Sequence, residues 1–120
     1  MKILYLSVHS ILEFDELSLF TELKHEVFSL GAYTKPEGHY LLPRPRIPNM
    51  KAHPEMEEYA LGEKAKTNIK QPLIDWADVI LVSHDPSIVV ENWARIKHKK
   101  VIWRSIGQST PYVEDTLRRM

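Results

Sequence analysis

Short apolar runs without strict alternation recur along this chain, and they constrain its fold more than any other feature. The runs "KILYLSV" (2–8), "DVILVS" (78–83) and "KKVIWR" (99–104) are rich in aliphatic and β-branched residues, as parallel strands covered on both faces must be. The segment "HEVFSLGAY" (25–33) reads as a further strand, with Gly31 near its end. Helical signals lie between these runs. Ser10 and Glu13 have capping-box spacing, Glu13, Asp15 and Glu16 suit the positive end of a helix, and Leu17, Phe20 and Leu23 supply its apolar stripe. Pro54 opens a predicted polar helix, "PEMEEYALGEKAKTNI", and Asp85 with Pro86 opens another. In the latter, Ile88, Val89, Trp93 and Ile96 form a core face, with Asn92 the exception. Thr110 with Pro111 begins a last helix. Strands alternating with helices imply βαβ units. The expected fold class is therefore α/β, a doubly wound, mostly parallel sheet with helices on both faces.

Composition narrows what such a domain can do. The chain has 120 residues, which suits one domain, and 16 basic residues balance 16 acidic ones. A net charge of zero offers no field for a phosphate backbone, so nucleic acid is not an expected partner. The absence of cysteine removes disulfides, thiolate catalysis and cysteine-based zinc sites, and fits a reducing compartment, so a cytoplasmic location is expected. No run approaches the roughly 20 apolar residues of a bilayer span, so no transmembrane segment is expected. The four glycines form neither a dinucleotide fingerprint nor a P-loop, so no cofactor is expected. The six histidines are scattered and no HExxH pattern occurs, so no metal is expected. Residues 34–50, "TKPEGHYLLPRPRIPNM", form a proline-rich loop long enough to be functional or mobile.

Ligands of parallel sheets bind beyond the carboxyl ends of the strands. Three segments fall there: "VHS" (8–10), "SHDP" (83–86) and "RSIGQSTP" (104–111). They nominate His9, Ser10, Arg104, Ser105, Gly107, Gln108 and Ser109 as substrate-binding residues. His84 and Asp85 are the candidate catalytic groups, placed to contact a substrate hydroxyl with Asp85 as the base. Each has a structural alternative. Arg104 is either a fork for phosphate or carboxylate or the salt-bridge partner of a neighbouring helix. Asp85 before Pro86 is first an N-cap, residues 107–109 also suit a strand-to-helix turn, and His9 also suits a solvent-facing loop. Arg44 and Arg46, in "PRPRIP", are a phosphate-facing lid, a polyproline segment for a partner, or solvated charges. Trp76, Trp93 and Trp103 are read as core or rim packing. Ile102 is expected in the core and Arg104 at the rim.

The order strand, helix, "KHEVFSLGAY", "ADVILVSHDP", "KKVIWRSIGQSTPYVE" resembles the N-terminal domain of GT-B glycosyltransferases. Residues 24–27 are similar to that family's GHEV segment, 78–85 to its DVVHAHD segment and 101–107 to the strand that follows. The resemblance implies transfer of a glycosyl group from a nucleotide-sugar donor to an acceptor hydroxyl, with Arg104 and the 107–109 turn lining the cleft. The sequence departs from the family in three places. No second Rossmann-like domain is present in these residues, so the donor-holding C-terminal domain or a partner subunit is expected elsewhere. The chain is accordingly expected to be a truncated or split acceptor-side half, inactive alone. Gly107 and Gln108 stand where many retaining members have a histidine, and "HSILEF" replaces the glycine-rich turn after the first strand. The alternative function is a non-catalytic flavodoxin-like binding or assembly module. An uncovered edge at the last strand predicts self-association into a homo-oligomer.

Overall fold

The computed structural model describes residues 1–7, 10–38, 44–104 and 118. Strands β1 (Lys2–Leu6), β2 (Glu26–Ser29), β3 (Val79–Ser83) and β4 (Lys100–Arg104) form one sheet in the order β2-β1-β3-β4. Every pairing is parallel, with Leu4 opposite both Phe28 and Ile80, and Ile80 opposite Val101. The helices are α1 (Ser10–Glu22), α2 (Gln71–Trp76) and α3 (Ser87–Ile96). The fold is α/β.

Alternation along the strands divides the apolar residues into two cores. Ile3, Tyr5, Val27 and Leu81 pack with Leu17 and with Phe14 and Phe20 of α1, joined by Tyr33, Ile47 and Met50 from the connection after β2. Leu4, Leu6, Phe28, Ile80 and Val82 face the other way, against Met56, Leu73, Ile74, Ile88, Val89 and Ile96. β1 and β3 carry apolar residues at successive positions because both of their faces are covered. Burying each such side chain contributes about 1.5–3 kcal/mol. The chain thus leaves β1 toward one face of the sheet and β3 toward the other, so their carboxyl ends flank the point where the two paths diverge.

Several expectations are corrected. The second strand is four residues long, ending at Ser29. The polar segment after Pro54 forms two 3-10 turns, Pro54–Ala60 and Glu63–Ala65, interrupted at Gly62, whose φ of 92° is left-handed. The α-helix of this connection is instead α2, which opens with proline near its first turn and buries Leu73 and Ile74. Its six residues span too few turns for a periodic signal. Leu23 is 58% exposed, because α1 stops at Glu22 and Lys24 turns away at φ 70°. Ile102 is 42% exposed and not a core residue: among the described strands β4 lies at the edge, and α1 packs over β1 and β2. Asn92 does belong to the buried face of α3. Its side chain accepts from the Ile69 N–H at 3.1 Å and donates to the carbonyls of Thr67 and Ile88, which locks α3 to the segment before α2. The last helix, expected from Thr110, lies outside the described residues.

Candidate functional site

Two clusters of polar side chains stand at the carboxyl edge of the sheet. On the β3–β4 side, Arg104 ends its strand opposite Ser83. Both terminal nitrogens of its guanidinium donate to the carboxylate of Glu16 on α1, and Nη2 also donates to Ser83 Oγ at 2.8 Å. Tyr5 of β1 donates its hydroxyl to the same carboxylate at 2.6 Å. Burial pushes Glu16 up, but the Arg104 bond, the Tyr5 bond and the Arg104 charge together outweigh it and hold the carboxyl below its ordinary value. The bond from Glu16 raises Arg104 against its own partial burial. Burial first, then the bond to Glu16, raises the Tyr5 phenol. The pair is therefore charged at every ordinary pH, and the salt-bridge alternative for Arg104 is the arrangement present.

On the β1–β2 side lies a cleft of about 770 Å³. One wall is the turn after β2, with Leu30, Gly31, Ala32, Thr34 and Lys35; the other is the 3-10 segment, with Glu57, Ala60, Leu61 and Gly62. A buried carboxylate sets the first wall. Glu13, only 1% exposed, accepts from Ser29 Oγ at 2.5 Å and from the backbone N–H groups of Ala32 and Tyr33 at 3.0 and 2.9 Å. A Cβ at Gly31 would meet the Glu13 carboxylate, so a larger residue there would push that carboxylate off its partners. Lys35 and Glu57 join the walls by an ion pair at 3.3 Å. At the inner end, Lys66 donates to the Ser7 carbonyl just beyond β1, at 2.9 Å.

Under the 3-10 wall sits His53, 2% exposed between the rings of Phe28 and Trp76. Among the described residues its Nε2 has no partner, and its Nδ1 lies 3.5 Å from Glu55 Oε1. Burial lowers its pKa from the usual value of 6.5, against the opposing pull of Glu55.

Of the residues nominated from sequence, Arg104, His84 and Asp85 are described and all lie at the carboxyl ends of β3 and β4. Asp85 accepts from the backbone N–H and hydroxyl of Ser87 at 3.0 and 2.7 Å, so its carboxylate starts α3. His84 has φ 80°, a conformation that costs a side-chain-bearing residue energy and that concentrates at functional sites. His9, the Ser10 side chain, Ser105, Gly107, Gln108 and Ser109 lie outside the described residues. Glu13, Glu16, Ser83 and Lys66 were not singled out as site residues. Glu13 and Glu16 carried only a helix-terminus signal, and Lys66 is one lysine in the polar stretch "GEKAKTN" with nothing local to distinguish it. Among the described residues no three histidine, aspartate or glutamate side chains converge as a metal site, and no helix is long and apolar enough to cross a membrane. Comparison with known protein families, curated proteins and solved structures gives no significant match to this chain.

Proposed function

We propose that this domain binds a hydroxyl-bearing acceptor at the carboxyl edge of its sheet, as the acceptor-side half of a GT-B-like glycosyltransferase with a doubly wound, Rossmann-like path. Transfer from a nucleotide-sugar would then require a donor-holding domain or subunit placed against this edge. The reading is supported by one observation above others: a cleft of about 770 Å³, the size of a small-molecule site, opens beside the carboxyl ends of parallel strands. Its lining mixes apolar walls with a few polar groups, which suits a sugar carrying an apolar substituent. Catalysis is not assigned to the described residues. The bonds of Arg104 to Glu16 and Ser83, and those of Asp85 Oδ1 with Ser87, are structural ties within the fold.

That same commitment favours a second reading, a non-catalytic binding module using the same cleft. The two are separated by titrating the ¹⁵N-labelled domain with neutral glycosides and then assaying transfer from a nucleotide-sugar. Glycoside-induced shifts at Gly31, Gly38 and Gly62, with transfer appearing only when a donor-holding partner is added, are the expected outcome. Transfer by this chain alone overturns the split-enzyme reading. Glycoside binding with no transfer in any pairing leaves the module.

A further inference from the structure

The charge inside the cleft is unevenly satisfied. Lys35 and Glu57 neutralise each other across its mouth, and that pair is partly solvent-exposed. Lys66 is different: its partner is a neutral carbonyl, the Ser7 oxygen, and among the described residues no carboxylate lies within ion-pair distance of it. An ammonium has three donors, and one is used here. The side chain is half-buried and lines the cleft, so its remaining donors face a region where water is partly excluded and a charged hydrogen bond is stronger than in bulk. The same cleft is lined by Leu30, Ala32, Ala60 and Leu61, whose side chains would cover an apolar body but offer an anionic group nothing.

We infer that the cleft selects ligands bearing an oxyanion, a carboxylate or phosphate on a small organic body, and that Lys66 is the residue that binds it. The anion docks on the spare donors of Lys66 at the carboxyl end of β1, while the apolar part of the ligand lies between Leu30 and Leu61. Because Lys66 also holds the Ser7 carbonyl, docking fixes the 3-10 connection to the end of β1 and stiffens the cleft around its ligand. The inference rests on the reading of this cleft as the ligand site and names the chemical class it takes.

Ligand pairs differing only in the anion test it: 4-nitrophenyl glucuronide against 4-nitrophenyl glucoside, and uridine monophosphate against uridine, each titrated by NMR into the wild-type chain, Lys66→Gln and Lys66→Arg. At least one anionic member should bind roughly tenfold more tightly than its neutral counterpart, as a charged hydrogen bond implies. That ratio should fall to near one in Lys66→Gln and persist in Lys66→Arg, while thermal melts show both variants folded. If the glucoside binds as well as the glucuronide and uridine as well as its phosphate, the oxyanion inference is overturned and the acceptor reading stands. A ratio that survives Lys66→Gln overturns the assignment to Lys66. Binding of the nucleotide alone, dependent on Lys66, supports the inference and counts against a sugar acceptor. No binding by any of the four overturns both.

Discussion

The two sides of the carboxyl edge each present a cation, and the two are used in opposite ways. Arg104 is 38% exposed, yet Glu16 takes both terminal nitrogens of its guanidinium, with Tyr5 and Ser83 completing the network. Lys66 spends a single bond on a backbone carbonyl and overlooks open space. A planar fork matched by a carboxylate is a structural tie, whereas a point charge with spare donors is a receptor. The position of a basic residue at the ligand edge therefore does not decide its role; the acid delivered to it by another element does.

The largest test concerns the strand that carries Arg104. Ile80→Ala in the fully covered β3 should cost about 2–5 kcal/mol through lost burial and a cavity, while Ile102→Ala on exposed β4 should cost less than about 1 kcal/mol in denaturant melts. Equal losses would mean that β4 is covered on its outer face and that the closed side is held by packing and not by the ion pair.

The open side depends on Glu13. Glu13→Ala leaves the Ala32 and Tyr33 N–H groups and the Ser29 hydroxyl without their acceptor, a loss of about 2–4 kcal/mol. Hydrogen exchange should rise at residues 30–35, one wall of the cleft, and stay unchanged in β4. Exchange that rises equally on both sides would erase the distinction between them.

Breaking the closed side should cost less. Glu16→Gln keeps an acceptor but removes the charge, and the partial exposure of Arg104 limits the loss to roughly 1–2 kcal/mol. It should also change the acid limb. The Glu16 carboxyl is lowered in the fold, so its stabilisation is complete above the ordinary carboxylate value of 4.5 and disappears as pH falls through the lower folded value. A stability profile below pH 4.5 that is as steep in Glu16→Gln as in wild type would refute the tie.

A separate limb belongs to His53 beneath the cleft wall. Its pKa is lowered by burial, so the stability it contributes is present above about 6.5 and is lost as pH falls below that toward the folded value. His53→Phe, which keeps the ring contacts with Phe28 and Trp76, should flatten the profile just below about pH 6.5 and leave the Glu16 limb intact. An unchanged slope would place the proton elsewhere.

The smallest effect is expected at Lys66. Lys66→Gln should alter stability by less than about 1 kcal/mol, since it loses a single bond to a backbone carbonyl, in contrast to Glu16→Gln. A loss as large as that of Glu16→Gln would make Lys66 a structural tie as well, and the two sides alike.

Much of the framework was legible without coordinates. The apolar runs of β1 and β3 announced strands covered on both faces, because such strands are apolar at successive positions, and the segment opened by Asp85 and Pro86 announced α3, whose buried residues repeat in a helical period; the run of β4 read the same way, but its place at the edge of the described sheet leaves Ile102 exposed. The connection from Pro54 to Trp76 was not legible: short 3-10 turns bury few side chains, and α2 has under two full turns in which to show a period. The rim location of Arg104, His84 and Asp85 followed from strand polarity alone. The tie of Asp85 to the start of α3 was legible too, its partner Ser87 lying two residues on, but the bonding of Arg104 was not, because Glu16 and Ser83 are brought to it by folding and not by spacing.

Local order, charge balance and the parallel connectivity were thus properties of the sequence by itself, since each depends on neighbours within a few residues or on composition. Tertiary structure alone decided that Glu16 meets Arg104 across 88 positions, that Lys66 reaches Ser7 across 59, and that Glu13 shapes a wall formed 16–20 residues later. Such contacts arise when two elements are driven onto one sheet by apolar burial, and burial carries no mark of which polar side chains it will bring together.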